Sequence, residues 1–358
     1  MEQLNNLQDK CRGSLVGGAI GDALGYPVEF VYSYKEIQAE YGENGITEYD
    51  TSYQWLEESM HHYKALFSDD TQMTLYTVEG LLEAERIGTP ILPTICNSYL
   101  AWFGHQVGKE VKISYCSELS KIDELNQRRA PGNTCLSALL SIYNGKDPIN
   151  TSKGCGGIMR VAPIGLYGAS HGWTLEKTAR LAGEVAELTH LHSLSTYSSA
   201  ALAVIIQLCT SIEESIGTEC FKSIVEKSLE TVGEIYGVNS PTMEYFQKYI
   251  KNAMHLENNH LPDWEIIENI IGGGWVAEET LAIAIFTVIR HISDFNSCII
   301  SAVNHGGDSD STGAVAGNII GAILGYNAIP DKFIKSIQLK DLLITTADDL
   351  FFTGRGRR

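Results

Sequence analysis

Apolar side chains recur along most of the chain at intervals of three and four residues, the spacing that lines one face of an α-helix. The segments with the clearest pattern are 71–87, 93–103, 175–188, 195–212, 277–289 and 313–324. Alternating strand patterns are scarce, and no proline-rich or low-complexity linker divides the chain. We therefore predict an all-α protein, organised as one domain over residues 1–358 with an irregular insert near residues 41–65.

Glycine recurs at every fourth position in two helix-like segments. The positions are Gly13, Gly17, Gly21 and Gly25, and then Gly313, Gly317, Gly321 and Gly325. This spacing forms a ridge along a helix, and each interior glycine costs roughly 1 kcal/mol relative to alanine. The short apolar lengths, together with Asp22 and Glu29, argue against a membrane dimerisation motif. We predict two buried helices whose axes approach closely, each being a candidate partner for the other; chance in a chain with 34 glycines is the alternative.

The overall charge is strongly acidic, because 26 Lys and Arg residues against 44 Asp and Glu residues give 26 − 44 = −18 with neutral histidines. Such a charge argues against nonspecific nucleic-acid binding and is compatible with carboxylates gathered around cations. The polar N-terminus resembles no secretory signal, and no apolar run of about 18 residues predicts a membrane span. The eight cysteines form no CxxC pair, which predicts reduced thiols and a cytoplasmic location.

Two short segments rich in oxygen-bearing side chains, residues 68–71 and 306–313, each precede a predicted helix. Capping of the helix start is one interpretation, since Ser, Asp and Thr are favoured there. A cap needs only one such residue, however, and several carboxylates close together repel one another strongly without a cation. Oxygen-only ligands favour Mg²⁺, Mn²⁺ or Ca²⁺ over zinc. An EF-hand is rejected, because Ile319 stands where that loop requires glutamate.

Two further acidic residues lie in and just after the first glycine segment. Asp22 falls inside the predicted buried helix, and a buried carboxylate must find hydrogen-bond partners or a cation. Pro27 is expected to end this helix near Tyr26, because the residue before a proline avoids the helical conformation. Glu29 is therefore predicted on a loop just beyond the helix end, where surface solvation is the ordinary alternative to a role in a site.

A glycine-rich segment at residues 152–160 has the composition of a phosphate-binding loop or of an ordinary turn, and it matches neither a Walker A nor a GxGxxG motif. Residues 129–134 are a second candidate for such a loop, a predicted turn with helix-start chemistry at Asn133 or Thr134. His190 is either a polar anchor in a pocket or a hydrogen-bonded core histidine. A helical zinc pair with His192 is excluded by their spacing of two.

Together these segments resemble the ADP-ribosylglycohydrolase family, which includes the dinitrogenase reductase-activating glycohydrolases and the ADP-ribosylarginine and ADP-ribosylserine hydrolases. The matching stretches, in family order, are GSLVGGAIGDALGYPVEF (13–30), SDDTQMTL (68–75), RAPGNTCLSAL (129–139), KGCGGIMRVAPIGL (153–166), LTH (188–190) and NHGGDSDSTGAVAGNIIGA (304–322). SDDTQM and GGDSDS are the most specific of them. The resemblance implies a compact orthogonal helical bundle with a binuclear metal cleft, holding two Mg²⁺ ions or, alternatively, Mn²⁺.

The resemblance also implies roles for individual residues. The implied metal ligands are Ser68, Asp69, Asp70, Asp308, Asp310 and Ser311. The implied catalytic residues are Glu29, at the position of the family's mobile active-site glutamate, and Asp310. The implied substrate-binding residues are Ser152, Lys153, Gly154, Cys155, Gly156 and Gly157 around the diphosphate, with His190, Gly132 and Asn133 on the substrate wall. Members often have threonine at the positions of Ser68 and Ser311, and serine retains the ligating oxygen.

The activity that the resemblance implies is metal-dependent removal of ADP-ribose from a modified protein side chain. Arginine is the expected acceptor, and serine, O-acetylated or nucleic-acid-linked ADP-ribose are the alternatives. One rival function is an immunity or regulatory protein that blocks a cognate ADP-ribosyltransferase, a toxin or an endogenous enzyme, by docking through residues 1–9 or 41–65. The other is a metal-dependent phosphohydrolase that cuts the diphosphate. The expected partner is an ADP-ribosylated protein, with neither nucleic acid nor membrane.

Overall fold

A computed structural model describes residues 2–52 and 64–353, with side chains described from residue 6 onward. The α-helices in these ranges are α1 Glu2–Gly25, α2 Tyr34–Tyr41, α3 Asp69–Ile87, α4 Ile91–Val107, α5 Asn133–Tyr143, α6 Ala162–His171, α7 Leu175–Glu187, α8 Ser193–Ser211, α9 Thr218–Tyr236, α10 Pro241–Met254, α11 Asp263–Ile266, α12 Ala277–Arg290, α13 Phe295–Val303, α14 Ser309–Leu324, α15 Asp331–Ser336 and α16 Lys340–Thr353. Within the same ranges, extended pairing is limited to two isolated bridges. The prediction of an all-α protein is therefore confirmed, and each of the six predicted helices is present.

The two glycine ridges lie against each other, with α1 and α14 running antiparallel. A Cβ atom on Gly17 would lie 2.5 Å from the carbonyl oxygen of Gly317, and one on Gly21 would overlap the carbonyl of Gly313. Real side chains do not approach a backbone so closely, so only glycine allows this separation of the two helix axes. The predicted close approach is confirmed, and the partner of each ridge is the other ridge.

The glycine ridge yields a test of stability. Alanine for glycine inside a helix ordinarily stabilises by about 1 kcal/mol. In the Gly317→Ala variant, the new methyl group would overlap the carbonyl of Gly17, so we expect a net loss of roughly 1–3 kcal/mol in the free energy of unfolding. Urea denaturation followed by circular dichroism measures this loss. The matched control is Gly217→Ala, where a Cβ meets no atom within 4 Å. Equal stability of the two variants would contradict the backbone contact.

Helix α8 crosses the interior of the molecule. By length and apolar composition it could span a membrane, but 89% of its most apolar window is buried within the described part of the chain. Such burial is typical of the core helix of a globular protein. The buried apolar side chains of the described residues form one continuous cluster, to which α8 contributes side chains such as Leu202 and Ile206.

The described residues include both ends of the insert predicted near residues 41–65. Tyr41 closes α2, residues 42–52 form neither helix nor strand, and residues 53–63 lie outside the described residues. Ala65 donates its amide hydrogen to Ser336 at 2.8 Å and accepts one from Gln338 at 3.0 Å. The chain is thereby anchored to the C-terminal helices just before α3 begins.

The packing of α1 against α14 also brings three helix termini together. A Cβ atom on Gly25, the last residue of α1, would overlap the carbonyl of Ser309, the first residue of α14. One turn earlier on α1, Asp22 reaches the first turn of α3. The acidic segments before α3 and α14, which are far apart in sequence, therefore meet at the end of α1.

Candidate active site

Asp22 of α1 caps the start of α3. Its Oδ1 accepts a hydrogen bond from the Ser68 amide at 2.7 Å, and its Oδ2 accepts from the Thr71 amide at 3.0 Å and the Thr71 hydroxyl at 2.5 Å. Burial and the nearby Asp310 raise the pKa of Asp22, whereas these hydrogen bonds lower it. Of the two outcomes that the sequence left open for this carboxylate, partners or a cation, the structure shows the partners.

The start of α3 has a capping residue and, in addition, two carboxylates that take no part in the capping. Ser68 is the N-cap residue, and its hydroxyl accepts the Asp70 amide at 3.2 Å. Asp69 Oδ2 accepts the Gly132 amide at 3.3 Å, and Asp70 Oδ2 accepts the Ser311 hydroxyl at 2.8 Å. Both aspartates are buried. Because Ser68 and Asp22 already cap the helix, the carboxylates of Asp69 and Asp70 are not needed for capping.

The start of α14 departs from ordinary capping. Asp308 occupies the N-cap position, but its side chain makes no capping hydrogen bond. Its Oδ2 instead accepts a hydrogen bond from the Cys155 thiol at 2.7 Å. Asp310, in the first turn, accepts the Ser311 amide at 2.9 Å. The capping interpretation therefore does not account for Asp308, whose carboxylate faces the loop that carries Cys155.

Glu29, from the turn that follows α1, lies close to the carboxylates at the start of α14. Pro27 ends α1 at Gly25, as expected, and a 3₁₀ turn over Tyr26–Val28 leads directly to Glu29. This side chain is only 8% exposed, and its Oε2 has no hydrogen-bond partner among the described residues. One carboxylate oxygen from each of Glu29, Asp308 and Asp310 lies within 4.8 Å of the others. The alternative of a solvated surface glutamate is thereby excluded.

The electrostatics of this cluster favour a cation. Burial, followed by repulsion from Asp310, raises the pKa values of Glu29, Asp69, Asp70 and Asp308. The buried guanidinium of Arg129 does not neutralise them, because it donates to the backbone carbonyls of Phe67 and Glu124. Hard oxygen donors gathered without a paired cation fit Mg²⁺ or Mn²⁺. In the described part of the chain, the residues present therefore suit a divalent metal.

The carboxylates open into a cavity of about 350 Å³. The predicted site residues that line it are Glu29, Asp69, Asp70, Gly132, Asn133, Gly154, Cys155, Gly156, His190, Asp308, Asp310 and Ser311. These residues come from six separate stretches of the chain. The structure thus brings most of the predicted residues into one cleft, and their individual roles stay predictions.

Four predicted residues are not among those that line the cavity: Ser68, Ser152, Lys153 and Gly157. The Ser152 hydroxyl accepts the Gly154 amide at 3.3 Å and so shapes the glycine loop from behind. The Lys153 ammonium group donates to the buried carboxylate of Glu278 on α12. A Cβ atom on Gly157 would overlap the Ser195 hydroxyl, which places this glycine against α8. These contacts hold the loop in place.

The glycine loop has one amide well placed for an anion. The Gly154 amide donates to Ser152, and the Cys155 amide donates to the carbonyl of Trp275 at 3.2 Å. Gly156 is the second residue of the 3₁₀ turn Cys155–Gly157, a position whose amide has no intrahelical partner. A Cβ atom there would lie 2.8 Å from the His190 ring. Gly156 is therefore held to glycine by its neighbours, and this residue with an unused backbone N–H lines the cavity.

His190 lines the same cleft as a neutral imidazole. The buried guanidinium of Arg160 donates to the Thr189 hydroxyl at 2.7 Å, and this hydroxyl lies 2.8 Å from His190 Nδ1. The hydroxyl oxygen thus accepts from Arg160 and forms a second hydrogen bond with Nδ1. Burial and the nearby Arg160 charge lower the pKa of His190 to about 3. We therefore assign a neutral imidazole, whose Nε2 lies toward Gly154 and Gly156.

Sequence reasoning missed several residues that line the cavity: Phe30, Ala130, Pro131, Thr134, Cys135, Met159 and Trp275. Ala130 has a φ of +48°, a conformation that alanine adopts at a cost of about 1–3 kcal/mol and that is concentrated at functional sites. Trp275 follows three consecutive glycines directly before α12. That glycine run was the available signal, but the long-range contact with Cys155 that places Trp275 is not visible in a sequence.

The chain belongs to the ADP-ribosylglycohydrolase family, whose sequence model matches residues 3–358. It is thus an enzyme, a hydrolase of that family. The ADP-ribosyl-[dinitrogen reductase] glycohydrolase of Rhodospirillum rubrum is 26% identical, over 94% of this chain and 92% of the relative. The ADP-ribosylarginine hydrolase Tri1 of Serratia proteamaculans (strain 568) is 24% identical, over 96% and 79%. The predicted family is therefore confirmed.

A solved structure of an ADP-ribosylglycohydrolase-related protein complex has the same fold. The TM-score is 0.65, and the match covers 97% of this chain and 98% of that one. At 22% sequence identity the likeness concerns the fold alone. It confirms the predicted all-α architecture of the family, whereas the binuclear metal cleft stays a prediction.

Proposed function

We propose that this enzyme hydrolyses the N-glycosidic bond between ADP-ribose and a protein arginine side chain, with two Mg²⁺ ions, or Mn²⁺, as cofactors. The observation that carries the proposal is the convergence of buried, mutually repelling carboxylates on one cleft beside a glycine loop. The choice of arginine is supported by the Serratia relative, which is named an ADP-ribosylarginine hydrolase.

The metal-holding residues would be the four aspartates at the two helix starts, with the hydroxyls of Ser68 and Ser311. Asp69 and Asp70 come from α3, and Asp308 and Asp310 from α14. These residues would hold divalent cations whose chemistry is to orient the ribose hydroxyls and to activate the attacking water. The hydrogen bond from Ser311 to Asp70 links the two halves of this ligand set.

Glu29 is placed to move the proton in the reaction. Glu29 is ionised once divalent cations offset the charge of the neighbouring aspartates. A water molecule attacks C1″ of the ribose and gives a proton to the unpartnered Oε2 of Glu29, while the bond from C1″ to the arginine nitrogen breaks. The bonding electrons leave with the guanidine nitrogen, and this departing guanidine takes up the proton that the water gave to Glu29. The products are arginine and ADP-ribose with a free hydroxyl at C1″.

The diphosphate of the substrate would bind to neutral donors of the cleft. The Gly156 amide has no partner within its turn, His190 is a neutral imidazole, and both residues line the cavity. Because oriented N–H groups provide the local positive potential, the net charge of −18 does not prevent binding of an anionic substrate.

The proposal is tested by incubating the enzyme with arginine-ADP-ribosylated and serine-ADP-ribosylated proteins in Mg²⁺, in EDTA, and in EDTA followed by excess Mg²⁺. We expect free ADP-ribose from the arginine conjugate, loss of release in EDTA and recovery on metal addition. Mass spectrometry of the small-molecule product decides the reaction. AMP as the product would indicate a phosphohydrolase. Release of ADP-ribose from the serine conjugate alone would show that the acceptor is serine and not arginine.

A further inference from the structure

Two large aromatic side chains are exposed at the rim of the active-site cavity. Phe30 is 55% and Trp275 is 43% exposed. Their rings are stacked, with centroids 6.0 Å apart and an interplanar angle of 22°. Both residues line the cavity. An exposed stacked pair of this size leaves considerable apolar surface in water, which is typical of a surface that contacts a ligand.

The backbone holds both rings in place. Phe30 follows Glu29 directly, so its position is set by the same turn that places the Glu29 carboxylate. The carbonyl of Trp275 accepts the Cys155 amide at 3.2 Å, and Asp308 donates its amide to Gly273 at 2.8 Å. Trp275 is thus fixed between the glycine loop and the acidic start of α14. The backbone contacts therefore hold both aromatic residues in position at the cleft.

We infer that the Phe30–Trp275 pair binds the guanidinium group of the arginine acceptor and sets the preference of the enzyme for a cationic leaving group. The inference rests on the proposed function and deepens it. A guanidinium is planar and weakly hydrated, and it stacks on aromatic faces through cation–π attraction. A neutral serine acceptor gains nothing comparable from such a wall.

The place of the pair beside the reacting bond favours the acceptor over the other flat group of the substrate, the adenine. Phe30 directly follows Glu29, the proposed base, which belongs to the carboxylate cluster with Asp308 and Asp310. In the substrate, the acceptor is joined to C1″, the carbon that the water activated by Glu29 attacks. The adenine is separated from C1″ by the diphosphate and a second ribose, so the group beside Glu29 is the acceptor.

The experiment compares Trp275→Leu and Phe30→Leu with wild type in two measurements. One is kcat/KM for an ADP-ribosyl-arginine peptide, and the other is the Kd of free ADP-ribose by isothermal titration calorimetry with Mg²⁺. We expect kcat/KM to fall about tenfold in each variant, as cation–π contacts of this kind require. The Kd of ADP-ribose should stay unchanged, because free ADP-ribose carries no acceptor. Trp275→Phe, which retains an aromatic face, should recover most of the loss.

The matched control is Tyr32→Leu, which removes another exposed aromatic ring, 87% accessible, that is not part of the cavity lining. Its kinetics should equal those of wild type. Equal weakening of ADP-ribose binding and of turnover in Trp275→Leu would assign the pair to adenine and overturn the inference. Unchanged kcat/KM in both Leu variants would also overturn it. The proposed function fails separately, if wild type releases no ADP-ribose from the arginine peptide.

Discussion

In the Asp308→Asn variant, we expect turnover of the ADP-ribosyl-arginine substrate to fall by about three orders of magnitude. Metal ions supply several kcal/mol of transition-state stabilisation, and each 1.4 kcal/mol corresponds to about a factor of ten in rate. Asp308 makes no capping bond and its carboxylate faces Cys155, which leaves it as one of the proposed metal ligands. Asp69→Asn should have a similar effect from the other helix start. Steady-state release of ADP-ribose in saturating Mg²⁺ measures both.

The same variant should be at least as stable as wild type without metal. Burial and the charge of Asp310 raise the pKa of Asp308 well above its usual value. The folded wild type therefore retains protons that the unfolded chain releases above about pH 4, and the stability of the metal-free enzyme falls as the pH rises from there. Asparagine has no proton to release at this position. The variant therefore does not lose the part of the free energy of unfolding that ionisation of Asp308 takes from the metal-free wild type as the pH rises.

Adding Mg²⁺ should reverse the order of stability. Ligand at a hundred times its Kd stabilises a folded protein by about 2.7 kcal/mol. Wild type should gain this stability in thermal unfolding scans, whereas Asp308→Asn should gain much less. Asp341→Asn, which changes a carboxylate that is 92% exposed, is the control and should respond as wild type does. Near-normal turnover by both active-site variants, or an undiminished Mg²⁺ effect, would remove the metal assignment.

Local sequence signals predicted the helices well, and they also predicted the close approach of two helices through glycine. The apolar period is a property of each segment alone, so helix α3 was predicted over 71–87 and forms over Asp69–Ile87. The glycine ridges predicted a close approach because interior glycine destabilises a helix, and a neighbouring backbone that leaves no room for a side chain is a physical reason to keep it. Their antiparallel pairing, with Gly17 on Gly317, depends on how distant segments meet and was one option among several.

The sequence did not predict which of the buried carboxylates caps a helix and which does not. For Asp22, inside a glycine ridge, the sequence left hydrogen-bond partners and a cation open. For Asp308, before a helix, it left capping and ligation open. The structure separates them by their hydrogen bonds, since Asp22 caps α3 from a neighbouring helix and Asp308 caps nothing. Trp275 was missed for a related reason, because its place in the cleft depends on a backbone contact with Cys155, 120 positions away.

The second large effect is expected in Glu29→Gln. Glutamine has nearly the same size and shape as glutamate, but it cannot accept the proton of the attacking water. A general base contributes about 10²–10⁴-fold to the rate, so kcat should fall within that range. The Kd of ADP-ribose should stay close to that of wild type, because the proposed diphosphate site does not include Glu29. Single-turnover assays with the arginine conjugate, together with calorimetric titration of ADP-ribose, measure the two quantities.

The position of Glu29 permits a second role, and the same variant distinguishes it. A carboxylate oxygen of Glu29 lies within 4.8 Å of carboxylate oxygens of Asp308 and Asp310, so Glu29 is also close enough to act as a metal ligand. If Glu29 acts only as the general base, the Glu29→Gln variant retains most of the stabilisation by Mg²⁺. If Glu29 is a metal ligand, the variant loses that stabilisation. We expect the first result, because Ser311 ties Asp70 to the aspartate cluster while Oε2 of Glu29 stays unpartnered. Loss of the Mg²⁺ response, or full kcat, in the glutamine variant would contradict the assignment of the base.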